Sequence, residues 1–557
     1  MQHRMPAAER LDYLASGGRP WLLLILLSLA LFLPGIAGIP PVDRDEARYV
    51  QATRQMLETG DPVEIRFQDE ARNKKPAGIY WLQAISVDLL SDGEATSLWP
   101  YRLVSVLGAM SAVLLTFLFG AEIFDRRTAL IGAALLASTI LCTAEAHLAT
   151  TDAAQLAAAV AAQGALGMAY LSNRRSEPLP LWVGAVFWFA QGAAILLKGP
   201  VVPALSLLTV LGLLVADQRA RWFMALRPEW GVPLVLVMVA PWLMLIEIQT
   251  QGAFLREAIG HDLLGKVAGA QEAHGAPPLY YLLLTPATFW PASLFLGAAG
   301  VWAWRSRRLP AARLLLAWIL PFWLIIELVP TKLPHYALPL YPALALLAAK
   351  AVVALGEEGM VEPRAWLRPI FPWLWALVGL ALSAALLLLP LQLGAGLLYP
   401  GGLAIAVALA VAWHILRRER LRLRPSSALV AVLASLLILA PGFEGILPEL
   451  DPVWLSRSAA RLVKTARQPG MVVSSSGYAE PSLVFLLGTA TELVPAEVAA
   501  ADLTAGKVGL SLVEARQDAA FHLALAGKPA HALGQVSGFD YSNGKWMTLT
   551  LYGTGPA

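Results

Sequence analysis

The nine residues Pro41-Val42-Asp43-Arg44-Asp45-Glu46-Ala47-Arg48-Tyr49 carry five charged groups directly after an apolar run. In a helix starting near Asp43, Asp45 and Tyr49 are i,i+4 neighbours and Arg48 lies three residues from Asp45, so a carboxylate and a guanidinium share one face. The same spacing also suits a solvated, charge-capped helix at a membrane exit, and this segment alone leaves both readings open. The helix continues through Arg54-Gln55-Met56-Leu57-Glu58-Thr59 to a glycine stop at Gly60, with an amphipathic pattern suited to the membrane interface. Further on, Asn73-Lys74-Lys75-Pro76-Ala77-Gly78-Ile79-Tyr80-Trp81 sets two ammonium groups beside an aromatic pair, a seat for a lipid phosphate at headgroup depth. Pro76 biases Lys75 toward extended backbone, so Lys74 and Lys75 should point in different directions.

Other ionisable residues stand where two readings compete. Lys198 and Lys332 fall at helix ends, where a lysine either meets an anion or simply snorkels to the interface. Asp152 follows Thr151 at a helix start and could be chemical or an N-terminal cap. His261-Asp262 and His274 could hold a divalent ion such as zinc, although their separation in the sequence is not a metal-site spacing. Glu327 and His414 are expected to pair within the helix bundle or reach the interface.

These residues must be carried by membrane-embedded helices. Of 557 residues, 57% are hydrophobic and only 15% charged, which excludes a soluble globular protein. Leu- and Ala-rich tracts recur from Trp21 to Pro441, each near the ~20 residues that cross a hydrocarbon core. We count about 13 spans, near 21–38, 98–122, 128–146, 152–171, 180–197, 199–215, 231–248, 279–301, 311–329, 336–354, 370–391, 401–416 and 427–441. The first lacks a small-x-small cleavage site and reads as a retained helix. Arginine-bearing short loops, such as Asp125-Arg126-Arg127, Asn173-Arg174-Arg175 and Arg305 to Arg308, alternate with the spans and should be cytoplasmic. Asp45, Lys75, Asp152, Lys198, Lys266, His274 and Lys332 then all fall on the outer side. Residues 1–441 form the expected transmembrane catalytic domain, with outer loops at 39–100 and 249–278. Residues 442–557 are far less apolar, with an amphipathic helix at Val453–Arg467 and strand-like runs at Met471–Ser475 and Lys545–Tyr552, and read as an outer α/β domain. The lone Cys142 excludes a disulfide framework, and a net charge of +3 is too small to argue for nucleic acid.

Asp45-Glu46-x-Arg48-Tyr49 after the first span, Gly60-Asp61, and Lys75-Pro76-x-Gly78-x-Tyr80-Trp81 together resemble the aminoarabinose transferases that modify lipid A. These belong to the polyprenyl-phosphate-sugar glycosyltransferases of the GT-C fold, which include protein O-mannosyltransferases. Thr151-Asp152, Leu197-Lys198-Gly199, Ala273-His274-Gly275-Ala276-Pro277 before Tyr280-Tyr281, and Thr331-Lys332-Leu333-Pro334-His335-Tyr336 continue the resemblance over residues 40–340. Gly275 stands where the lipid A transferases carry Arg, and Pro330-Thr331 where they carry Lys-Gly. The resemblance implies a monomeric inverting transferase in a bacterial inner membrane. It would move 4-amino-4-deoxy-L-arabinose from undecaprenyl phosphate to lipid A on the periplasmic side, a modification that confers polymyxin resistance in the family.

Breaking the anomeric bond calls for negative charge beside the sugar and positive charge on the departing phosphate. Asp45 and Asp152 are the expected catalytic carboxylates. Arg48, Lys75, Tyr80, Lys198, Lys266, Lys332 and Tyr336 are the expected lipid-phosphate donor set, Lys75 because it occupies the family's Lys-Pro position. His261 and His274 are the candidate metal ligands, and lysines can offset a phosphomonoester without a required metal. Two alternatives are transfer of another polyprenyl-linked sugar to protein or glycan, and a lipid transporter or flippase. Transporters tend to carry repeats and interrupted mid-membrane helices, whereas the polar candidates here cluster in outer loops.

Overall fold

The computed structural model describes residues 7–73, 75–91, 95–258, 260, 275–357, 370–417 and 423–554. Among these, nine helices are long and apolar enough to cross a membrane, and twelve spans result if three sharply bent helix pairs each count as one. The bent pairs coincide with the spans expected near 21–38, 128–146 and 279–301. The stretch expected near 199–215 is the 17-residue apolar helix Val201–Asp217, at the lower end of the length that crosses a hydrocarbon core. Small residues let the central helices meet closely. Asp152–Arg175 packs along Trp99–Ile123, where a Cβ on Gly108 would lie 2.7 Å from the Ala154 nitrogen.

The arginine-bearing ends gather at one end of the bundle. Arg126 donates to the carbonyls of Ala15 and Gly17, Arg175 to that of Glu122, and Arg174 and Arg313 converge on buried Asp217, which also accepts the Tyr170 hydroxyl. At the other end, the first outer loop folds into the helix Asp45–Thr59, a two-strand hairpin of β1 (Arg66–Phe67) and β2 (Glu70–Ala71), and the apolar helix Gly78–Leu90. Gly60 closes the first helix with φ of 71°, which explains the glycine there.

Gly78 sits where its helix crosses the end of Leu181–Lys198. A Cβ at this position would come within 2.7 Å of the Leu196 carbonyl oxygen and 2.9 Å of its carbon, main-chain atoms that cannot swing aside. Gly78→Ala is therefore expected to cost about 1–3 kcal/mol, read as a lowered unfolding midpoint of the purified protein. An unchanged midpoint would mean that the two helices separate freely.

The last long helix runs Pro425–Gly445, so it passes through Pro441 and ends beyond the expected boundary. The C-terminal region then begins with the helix Leu455–Ala466, which lies on a mixed sheet of order β4-β3-β5-β7-β6. The strands are β3 (Val473–Ser476), β4 (Glu492–Leu493), β5 (Leu510–Glu514), β6 (His531–Asp540) and β7 (Lys545–Gly553). β3 pairs in parallel with β4 and β5, and β7 runs antiparallel to both β5 and β6. Leu483, Leu510, Leu512, Leu549 and Leu551 build its own apolar core.

Candidate active site

Asp152 is the first residue of its helix, and Thr151 rather than Asp152 occupies the cap position. Its carboxylate is engaged elsewhere: Lys198, the last residue of Leu181–Lys198, donates to Oδ1 at 2.5 Å. The imidazole of His335 lies between two carboxylates, its Nε2 4.0 Å from Asp152 and its Nδ1 3.7 Å from Glu145. Thr150 donates its hydroxyl to Glu145 at 3.3 Å. Tyr336 places its ring 6.0 Å from the Lys198 ammonium. Lys75 is in electrostatic reach of Asp152 and His335, and exposed Asp45 is in reach of Glu145, His335 and Tyr49. Beside Asp45, the Arg72 guanidinium lies 4.9 Å over the Tyr49 ring and donates through Nε to the Tyr80 hydroxyl at 2.9 Å. Burial pushes the phenols of Tyr49 and Tyr80 upward, and Arg72 partly offsets this at both, so they remain neutral hydrogen-bonding groups. Carboxylates and cations thus gather at the bundle end opposite the arginines.

The family profile described as dolichyl-phosphate-mannose-protein mannosyltransferase matches residues 74–245, a stretch that includes Lys75, Asp152 and Lys198. The undecaprenyl phosphate-α-4-amino-4-deoxy-L-arabinose arabinosyl transferase 2 of Pseudomonas fluorescens is 29% identical over 61% of this chain and 62% of its own length. The corresponding transferase of Aeromonas salmonicida is 26% identical over 71% of each chain. In three dimensions the chain superposes on ArnT from Cupriavidus metallidurans bound to undecaprenyl phosphate, with a TM-score of 0.72 and 18% identity over 96% of this chain and 98% of that one. The chain has the GT-C fold of ArnT. A more distant likeness, with a TM-score of 0.52 and 13% identity, is to the oligosaccharyltransferase of Archaeoglobus fulgidus, covering 92% of this chain and 71% of that one.

Three residues expected at the donor phosphate sit differently. Tyr80 is fully buried against Tyr49 and holds Arg72, so it acts through that arginine. Lys332 is buried and donates to the carbonyls of Ile326, Glu327 and Val329, where it ties off the end of the preceding helix. A lysine following a helix that ends inside the protein meets those free carbonyls before it can snorkel. Arg48 lies in electrostatic reach of Glu480 in the C-terminal domain. A three-residue step turns a side chain about 60° from Asp45, and that domain packs on the flank it reaches. Lys266, His261 and His274 lie outside the described residues, and with them the zinc expected there. Among the described residues no group of three or more His, Cys, Asp or Glu could hold a metal ion.

Arg72, Glu145 and His335 were not singled out by motif. Glu145 had a readable signal, a carboxylate in an apolar run expected to span, which is costly unless used. His335 stands where the family pattern has Thr. Arg72 carried no signal, because only the β1–β2 hairpin returns it to the Tyr49 face. Glu327, by contrast, pairs inside the bundle as expected, accepting from the Leu282 N–H and the Trp323 indole.

Proposed function

We propose that the chain transfers 4-amino-4-deoxy-L-arabinose from undecaprenyl phosphate to a lipid A phosphate. It would act as a monomer on the periplasmic face of a bacterial inner membrane and invert the anomeric centre. The observation that carries this reading is the meeting of Asp45 and Asp152 with Lys75, Lys198 and Arg72 at the bundle end that bears the C-terminal domain. The names of the relatives and the bound lipid of the ArnT structure support the donor.

In this reading the departing phosphate lies against Lys75 and Arg72, whose hold on it strengthens as negative charge grows on the phosphate with breaking of the anomeric bond. The carboxylates face the sugar as positive charge develops on it. Lys198 aims the Asp152 carboxylate through its hydrogen bond to Oδ1. A lipid A phosphate is already an anionic nucleophile and needs no general base, so Asp45 orients the amino sugar and offsets the oxocarbenium charge. Transfer to a protein hydroxyl, the reading that the mannosyltransferase match favours, would instead use Asp45 as base.

The test is turnover of radiolabelled undecaprenyl-phosphate aminoarabinose by purified protein in lipid, with lipid A or a protein acceptor, followed by thin-layer separation. Label in lipid A is expected. Label only in protein would support the second reading, and label in neither would overturn both.

Lys75→Ala removes a charge-assisted contact and is expected to weaken undecaprenyl phosphate binding by about ten- to a hundredfold, measured by quenching of tryptophan fluorescence. Lys74→Ala should change it little. Equal losses would indicate a diffuse basic surface in place of a defined seat.

A further inference from the structure

The helix that carries Asp45 is held from the opposite end of the chain. Asp43, two residues before Asp45, accepts the Ser482 N–H at 2.8 Å and the Ser482 hydroxyl at 2.5 Å. The Asp43 N–H in turn donates to the Tyr541 oxygen at 2.6 Å. Further along the same helix, Arg54 donates to the Phe485 carbonyl at 2.9 Å and Gln51 to the Thr489 hydroxyl oxygen at 2.8 Å. Ser482 and Phe485 belong to the short helix Pro481–Leu487, whose Leu483 and Leu487 are buried in the core of the C-terminal domain. The grip is rooted in that core: the Ser482 hydroxyl lies 2.6 Å from that of Ser456, which lies 2.7 Å from the Tyr478 hydroxyl.

A carboxylate bound by both the N–H and the O–H of one residue is fixed in position and in rotation. Asp43 stands one residue before the cap residue Arg44, so its setting bears on which way the first turn faces, and Asp45 opens that turn. We propose that the Ser482–Asp43 contact is a positioning lock through which the C-terminal domain aims Asp45 into the active site. The role of Asp45 in transfer rests on the function proposed above, whereas the lock itself does not.

The lock tolerates a proton. A hydroxyl chain can reverse direction, so a protonated Asp43 would donate to the Ser482 oxygen, Ser482 to Ser456 and Ser456 to Tyr478. Burial pushes the Asp43 carboxyl up to about 7; Ser482 pulls it down, and Glu480 and Asp540 add to the rise. Asparagine at position 43 reproduces the protonated geometry, with its amide N–H in place of the acid proton. Alanine cannot.

The test combines hydrogen–deuterium exchange and steady-state kinetics on the full-length protein in lipid nanodiscs. In Asp43→Ala, exchange of the amides of residues 44–50 should rise, and kcat should fall by roughly tenfold or more, with KM for the lipid donor within about twofold. Ser482→Ala, which keeps the N–H and loses only the hydroxyl, should show the same pattern more weakly and carries the test if Asp43→Ala does not fold. Asp43→Asn should keep wild-type exchange and most of the turnover. Unchanged exchange at 44–50 in both disruptive variants would overturn the lock. So would an Asn variant as impaired as the Ala variant, or kcat and KM worsening together. Should the wild-type protein transfer no sugar, the exchange measurements still decide the lock, so its failure is distinct from failure of the transferase reading.

Discussion

Asp45→Asn is expected to lower turnover by about a hundredfold or more, with expression, thermal stability and undecaprenyl phosphate affinity close to wild type. The side chain is exposed at the start of its helix, so an amide of the same size fits in its place. What the amide lacks is charge, and in the proposed mechanism that charge orients the amino sugar and offsets the positive charge that develops on it, while the lipid phosphate is held by other groups. The effect should therefore appear chiefly in kcat and not in undecaprenyl phosphate binding. Purified Asp45→Asn enzyme with near-native turnover would remove Asp45 from the mechanism, and the Ser482–Asp43 lock would then aim nothing.

The adjacent Glu46 should behave in the opposite way. Its carboxylate is buried and receives both arms of Arg102, each at 2.8 Å, together with the N–H groups of Val42 at 2.8 Å and Ala149 at 2.7 Å. Arg102, also fully buried, donates in addition to the carbonyls of Ile36, Ile39 and Pro40. Three chain segments are thus joined at one ion pair under the outer loop. Arg102→Met would leave a buried carboxylate without its countercharge and three carbonyls without donors, so a loss of about 3–5 kcal/mol is expected. The measurement is the unfolding midpoint in detergent, with Glu46→Gln added in a double variant. Recovery of part of the loss in the double variant would identify the unpaired charge as the cause, and an unshifted midpoint in Arg102→Met would show that the pair holds nothing.

The contrast between Asp45 and Glu46 marks how far the sequence could be read. Both are carboxylates in the first turn of one helix, and pattern alone ranks them together. A step of about 100° between neighbours sends one toward the open site and the other into the bundle, and the difference becomes visible only once the helix is docked. The same holds for Lys198 and Lys332. Each stands at or just past the end of an apolar helix and could snorkel, yet one meets Asp152 and the other the end of its own preceding helix. Tyr80, legible as part of an aromatic pair, acts through Arg72 because the β1–β2 hairpin folds back over it.

Hydropathy and length by themselves determined that the chain is a bundle of membrane-crossing helices, because a hydrocarbon slab imposes one local rule on every segment. Arginine placement separated the two ends, and the structure gathers Arg126, Arg174, Arg175 and Arg313 at one of them. The Asp-Glu-x-Arg-Tyr and Lys-Pro motifs pointed to Asp45 and Lys75, and Thr151-Asp152 and Leu197-Lys198-Gly199 to Asp152 and Lys198, since charges beside apolar spans are rare enough to stand out. Only the tertiary structure decided which of these share a site, and it alone brought in Glu145 and His335. It also decided that the C-terminal domain reaches back to Asp43. Contacts such as Ser482 to Asp43 join residues 439 positions apart, and no local periodicity encodes which distant N–H will satisfy a given carboxylate. That choice is made by packing, when burial makes an unpaired polar group too costly to leave.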